Sequence, residues 1–353
     1  MKKGFDPILV RCAKVLMGIC LVGTLGVTPV QAAPPPEDTI TAIADDASNL
    51  PALRTLLISQ HGKPILERSY QGANLDRPVN IKSASKTIIA ALVGRAIHEG
   101  IISGVNASIR PLLMKRLPAE ANPDLANITV EDLLTMRAGL EPTSGPNYDS
   151  WIVSRDWVAD ALSRPMVDVP GGRMLYSTGS SHLLSAILTD ASGRSTRQLA
   201  QDWLGVPLDM QFGGWDRDPQ GVYLGGNNMA ISPRALLRFG EMMRHGGVAK
   251  GTRVIPKHYI DASWQPRTQS PFTGHHYGYG WFIAQSEGRP IYYAWGYGGQ
   301  LLYVVPSLAL TVVMTSDPTQ PSGSNGYARE LYGLLTERIM PLAAGQWLTQ
   351  PPP

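Results

Sequence analysis

The sequence predicts an α+β protein: one antiparallel sheet drawn from both ends of the chain, flanked by helices, with a helical domain inserted between its halves. Three observations predict it. Short apolar-rich runs stand near the start, at 53–70. Strand-like runs return only after residue 277, followed by an amphipathic terminal stretch. Between the two, from about 100 to 270, the texture is helical, with loops rich in Pro and Gly.

The elements follow in order. Residues 1–32 read as a signal peptide. Lys2, Lys3, Arg11 and Lys14 form a basic start, the stretch from Val15 to Val27 is apolar, and Val30-Gln31-Ala32 resembles a cleavage site. The apolar run is shorter than the ~20 residues that a membrane-spanning helix needs. Residues 33–50, which include Pro34-Pro35-Pro36 and an acidic, small-residue stretch, read as a linker. Leu53 to Gln60 and Ile65 to Tyr70 surround His61-Gly62-Lys63-Pro64 as a hairpin. Thr87 to His98 is a helix that stops at Gly100. Its apolar residues cover more than one stripe, so it is central and buried. Thr129 to Asp132 is a capping-box start, and Ser180 to Ala191 and Pro233 to His245 are further helices. Gly139 to Trp151 and Gln211 to Asn228 are long loops, which in compact proteins are often functional. Strands are expected at 277–285, 291–295, 301–305 and 310–315, then a helix from Tyr327 to Met340. The sheet domain therefore takes 51–82 and 275–345, the helical domain 83–274, and 346–353 is read as a disordered tail.

The leader decides what charge and cysteines mean. Lys2, Lys3, Arg11 and Lys14 against Asp6 account for the whole net charge of +3. The remainder is near neutral, which gives no footprint for a nucleic acid or an anionic membrane. Both cysteines, Cys12 and Cys20, also lie in the leader. The mature chain is then exported, periplasmic or secreted, without a disulfide, a thiol nucleophile or a cysteine metal ligand, and without stable membrane insertion.

The most informative residues are Ser83-Ala84-Ser85-Lys86, the only S-x-x-K in the chain, at the mouth of the central helix. Three residues apart, Ser83 and Lys86 share a helix face. A hydroxyl, an adjacent amine and the outward N–H groups of a helix start are the minimum for an activated serine. The cycle also needs a proton relay. Tyr176, in Tyr176-Ser177-Thr178 after a Pro-Gly-Gly turn, is the candidate; a packed aromatic is the alternative. A third element is Ala294-Trp295-Gly296-Tyr297-Gly298-Gly299-Gln300, whose glycines indicate close approach to backbone, or else a tight turn. Tyr148, Trp151 and Trp215 in the long loops are pocket-lining or simply packed. His275-His276 and the remaining histidines form no metal-binding spacing, and G-x-S-x-G and Walker-type loops are missing. No metal or cofactor is expected.

S-x-x-K, then Y-x-(S/T/N), then a Gly-rich strand motif resemble, in that order, the serine β-lactamase and penicillin-binding superfamily. Order and spacing are most similar to class C β-lactamases, family VIII carboxylesterases and 6-aminohexanoate-oligomer hydrolases. Asp132-Leu-Leu-Thr-Met-Arg-Ala-Gly-Leu140 and Gly251-Thr-Arg-Val-Ile-Pro256 extend the likeness over most of the mature chain. The resemblance implies a β-lactamase/transpeptidase-like fold and an acyl-enzyme on Ser83, with Lys86 and Tyr176 as proton-transfer groups. It implies an oxyanion hole from the N–H groups of Ser83 and Tyr297, and substrate contacts from Thr178, Trp295, Gly296 and Tyr148. Two departures matter. Thr178 stands for the common Asn, and Ala294 for the Lys or His that meets a substrate carboxylate. Such a charge-assisted contact is worth about 1.5–3 kcal/mol, one to two powers of ten in affinity. The expectation is therefore a hydrolase of small-molecule esters or amides. The alternatives are a β-lactamase or D-Ala-D-Ala carboxypeptidase, or a non-catalytic cell-wall-binding protein on the same scaffold.

Overall fold

The strands Gln300–Val305 and Leu310–Ser316 are buried at every position, so both faces of the sheet they occupy must be covered. The protein is described here by a computed structural model covering Met1, residues 36–323 and residues 326–346. The predicted leader, including Cys12 and Cys20, and the predicted tail beyond Gln346 lie outside the described residues.

The sheet has eight strands, all paired antiparallel. Across it run Lys63–Ser69, Leu53–Gln60, Leu310–Ser316, Gln300–Val305, Arg289–Gly296, Phe282–Ser286, His276–Tyr277 and Thr268–Gln269. The N-terminal hairpin therefore joins the C-terminal strands edge to edge, as expected. The last edge strand, Thr268–Gln269, comes from within the segment read as helical. Side-chain alternation divides the sheet's apolar residues between two cores. Leu302 and Val304 face the helical side, with the central helix Ser85–His98 and the helix Pro233–Arg244. Leu301, Tyr303 and Val305 face the other side. Each such burial contributes about 1.5–3 kcal/mol before entropy is charged against it.

The second side corrects the linker reading of 33–50. Glu37–Ser48 is a helix. Ile40, Ile43, Ala44 and Ala47 recur at helical spacing and pack on the sheet with Leu331, Leu334, Leu335 and Ile339 of the C-terminal helical run. Glu37 and Asp38 sit in its first turn, where the helix dipole favours acids. The acidic residues that suggested a linker, Glu37, Asp38, Asp45 and Asp46, are on the solvent face of this helix, and the small residues Ala44 and Ala47 are on its buried face. Arg338 pairs with Asp46 at 2.7 Å, and the Tyr70 hydroxyl donates to the Ala44 carbonyl at 3.0 Å. Among the described residues, no helix is long and apolar enough to cross a membrane.

The two long loops also hold structure. Phe212–Trp215 pairs with Met229–Ile231, which pairs with Val79–Asn80, in a small three-stranded sheet just ahead of Ser83. The first loop contains the short helix Tyr148–Ile152.

Candidate active site

Ser83 lies in a 3-10 turn, Lys82–Ala84, that feeds directly into the helix Ser85–His98. The helix thus begins two residues before the predicted Thr87. Ala84 N–H donates to the Ile81 carbonyl at 3.1 Å and Lys82 N–H to Asn80 Oδ1 at 2.9 Å. The turn's register supplies no such partner for the Ser83 N–H, one of the orphan donors of a helix start. Lys82, immediately before Ser83, holds a left-handed backbone with φ of 50°. Non-glycine residues in this region are uncommon and cluster at functional sites.

Lys86 Nζ donates to three oxygens: Ser83 Oγ at 3.1 Å, Thr178 Oγ1 at 3.3 Å and the Gly226 carbonyl at 2.7 Å. The side chain is buried, and none of these partners is a carboxylate. Burial alone drives its pKa down to about 7. The Tyr176 ring lies 4.8 Å from Lys86 Nζ. Burial pushes the Tyr176 phenol up to about 12, and a hydrogen bond with Ser83 opposes that shift. A nucleophile, a base able to be neutral near pH 7 and a protonated phenol are thereby gathered at one point.

The loop read as functional at 139–151 holds this point together. Thr178 N–H donates to Ser144 Oγ at 2.8 Å, and Gly179 N–H to Thr143 Oγ1 at 2.7 Å. Two hydroxyls thus satisfy the first N–H groups of the helix Thr178–Ser192. Ser144 Oγ and Thr178 Oγ1 are also 3.0 Å apart. Either hydroxyl can donate in that bond. Thr178, buried, is thereby committed to Lys86 and Ser144.

A cleft of about 830 Å³ opens over Ser83. Of the predicted site residues, Ser83, Tyr148, Tyr176, Thr178 and Tyr297 line it, and Lys86 lies just beneath. Trp295 and Gly296 do not line it. The Trp295 ring turns edge-on to Phe282, at 6.0 Å. Gly296 is needed for approach, not contact: a Cβ there would stand 2.2 Å from the Ile81 carbonyl oxygen, in the segment leading to Ser83. Ala294 is buried, so no cation stands at that point of the strand. The cations that do line the cleft are Lys82 and Arg173, the latter paired with Asp168 at 3.1 Å.

Sequence reasoning missed four contributors: Ser144, Gly226, Asn227 and Phe272. The first three sit in the two long loops already marked as functional. Phe272, 73% exposed, carries no local signal; its ring meets Tyr176 edge-on at 6.4 Å. Among the described residues, no cluster of three or more His, Cys, Asp or Glu is placed to hold a metal ion.

The β-lactamase family model matches residues 54–337. Among curated proteins, none matches the chain. Solved structures share the fold at low identity. A protein described as a candidate 6-aminohexanoate-dimer hydrolase from Bacillus anthracis superposes with a TM-score of 0.68 at 19% identity, over 87% of this chain and 82% of that one. EstCE1, a hydrolase with promiscuous acyltransferase activity, gives 0.68 at 18%, over 85% and 98%. A D-stereospecific amidohydrolase from Streptomyces sp. gives 0.65 at 15%, over 84% and 98%. With four fifths of its length matched, the chain belongs to the β-lactamase family of serine hydrolases.

Proposed function

We propose that the protein cleaves small-molecule esters or amides through an acyl-enzyme on Ser83. One observation carries this reading: a buried Lys86, with its pKa near 7, donates to Ser83 Oγ at 3.1 Å and has no carboxylate partner. In its neutral form the amine takes the Ser83 proton. The Ser83 oxygen bonds to the substrate carbonyl carbon, whose oxygen becomes the oxyanion between the Ser83 and Tyr297 N–H groups. The oxyanion collapses, the carbon–leaving-group bond breaks, and the Tyr176 phenol gives its proton to the departing oxygen or nitrogen. The Lys86 ammonium restores the phenol. Water then repeats the sequence on the acyl-enzyme.

The cleft's apolar wall supports substrates with an apolar group. Pro142, Pro146, Tyr148, Met174, Phe272 and Tyr297 give the cleft that wall. The buried Ala294 offers nothing to a β-lactam carboxylate, which weighs against an efficient β-lactamase or carboxypeptidase. The fold neighbours include an esterase-like hydrolase and an amidohydrolase, in keeping with either bond type. Export rests on the basic and apolar leader at 1–32, and N-terminal sequencing of the secreted or periplasmic fraction tests it.

A fluorophosphonate probe tests the central claim. It should label the wild-type protein at one site and spare Ser83→Ala. Tyr176→Phe should slow p-nitrophenyl butyrate hydrolysis at least about a hundredfold. Labelling that persists in Ser83→Ala refutes the acyl-enzyme assignment, and an unchanged rate in Tyr176→Phe removes the phenol from the mechanism.

A further inference from the structure

The helix that begins at Thr178 carries a second buried polar pair, outside the cleft. His182 Nε2 lies 3.0 Å from Asp218 Oδ2, and both side chains are fully buried. The imidazole packs against two indoles, Trp151 at 5.8 Å and Trp157 at 5.6 Å, both meeting it edge to face. Its other nitrogen, Nδ1, accepts the Gly225 N–H at 3.4 Å. Nδ1 has an amide hydrogen pointed at it, so the geometry assigns Nε2 as the nitrogen that donates to Asp218. The second carboxylate oxygen, Oδ1, accepts the Val222 N–H at 2.8 Å. The Arg116 guanidinium, paired with Asp190 at 2.7 Å, also interacts electrostatically with this carboxylate.

The residues so held are those that reach the site. Gly225 is followed by Gly226, whose carbonyl takes the shortest hydrogen bond of Lys86 Nζ, at 2.7 Å. The next residue, Asn227, donates through Nδ2 to the Tyr148 hydroxyl at 2.9 Å, and both line the cleft. Contact here is tight: a Cβ on Gly226 would stand 2.3 Å from Ser181 Oγ and 3.1 Å from Lys86 Nζ. A fraction of an ångström in this loop therefore moves the base relative to Ser83. Burying an imidazole and a carboxylate is costly unless every polar atom is paired, and such satisfied networks fix a single arrangement.

We propose that His182 and Asp218 are positioning residues: the His182 imidazole, donating to Asp218 and accepting from Gly225, clamps the 216–228 loop so that the Gly226 carbonyl aims Lys86 at Ser83. This rests on the reading of Lys86 as the base that activates Ser83. Neither residue touches substrate. Both act through the loop.

His182→Gln keeps a donor for Asp218 and removes the acceptor for Gly225. Asp218→Asn keeps an acceptor for Val222 and replaces the oxygen that receives the imidazole proton. Wild type and Ser83→Ala are titrated first with a fluorophosphonate, and failure of that pair to differ sinks the acyl-enzyme reading regardless of His182. With that established, each variant is assayed per labelled site, so unfolded protein does not enter the rate. The expected result is a loss of about tenfold in kcat with KM little changed. The acid limb of the kcat profile should move up by about half a pH unit, because water admitted beside Lys86 Nζ restores solvation to its ammonium form. The groups facing that nitrogen are Ser83, Tyr176, Thr178 and the Gly226 carbonyl, none of them a fixed charge. A purely structural role would lower the melting temperature and the labelled fraction alone. If the per-site rate and the acid limb match wild type in whichever variant folds, the positioning role is overturned.

Discussion

Lys86 Nζ lies 4.8 Å from the centre of the Tyr176 ring, and one low-dielectric pocket pushes their two protons in opposite directions. Burial disfavours the charged form of each group. The amine is driven down to about 7 and the phenol up to about 12. Near neutral pH the pair therefore holds an available base beside an available acid, without a histidine or carboxylate in the proton path. Separation of two titratable groups by a shared environment is a recurrent way to assign base and acid.

The pH profile should show this separation. Lys86 must be neutral to accept the Ser83 proton, so kcat/KM should rise as pH passes upward through about 7. The phenol loses its proton only near 12, so no fall is expected up to about pH 10. Stopped assays with a neutral ester across pH 5–10 provide the check. A bell with its alkaline limb below pH 9 contradicts the pairing.

The same burial carries a stability cost with a definite sign. Lys86 titrates near 7 when folded and at the ordinary 10.5 when unfolded. Between these values the unfolded chain binds a proton that the folded chain does not, so stability falls as pH drops from 10.5 to 7 and the cost is constant below. Lys86→Met removes it. The variant should be inactive yet more stable than wild type by a few kcal/mol at pH 6, at about 1.4 kcal/mol per pKa unit, discounted for relaxation. The difference should shrink towards pH 10. Urea midpoints at the two pH values measure it, and a variant less stable than wild type at pH 6 contradicts a buried amine whose hydrogen-bond partners are all uncharged.

Much of the site was legible because its chemistry depends on local spacing. Ser83 and Lys86 meet through one helical turn, and Tyr176 projects from the loop before a helix. Period-two alternation and apolar runs likewise revealed the strands from 289 onwards. Other features depend on chain segments far apart in sequence. The helix Glu37–Ser48 looks like a linker until Ile43, Ala44 and Ala47 find the sheet's second face. Gly226 and Ser144 contribute a carbonyl and a short hydroxyl, groups without a distinctive signature, and only the length of their loops marked them. Trp295 was assigned to the cleft through the glycine-rich motif, but strand alternation turns its ring towards Phe282.

Ser85 is the second serine of the S-A-S-K run, and it separates structure from chemistry. It is fully buried, and its Oγ has no hydrogen-bond partner among the described residues. An unsatisfied buried hydroxyl costs about 1–3 kcal/mol. Ser85→Ala removes the hydroxyl and leaves only a small void. The variant should be as stable as wild type or up to about 1 kcal/mol more stable, with full fluorophosphonate labelling. Activity reduced tenfold or more would place Ser85 in the catalytic machinery and weaken the claim for Ser83.

Phe272 decides whether the apolar cleft selects substrates. Its ring is 73% exposed, lines the cleft mouth and meets Tyr176 edge-on at 6.4 Å. An aromatic left this exposed gains little for the fold, so Phe272→Ala should change stability by no more than about 0.5 kcal/mol. A substrate with a long acyl chain or an aromatic group would cover the ring on binding and lose that contact in the variant. Forfeiting about 1 kcal/mol of apolar burial raises KM about fivefold, while kcat, set by Ser83, Lys86 and Tyr176, stays within about twofold. Acetate esters, too small to reach the ring, should be unaffected. Equal KM changes for p-nitrophenyl acetate and p-nitrophenyl octanoate would show that this wall does not read the substrate.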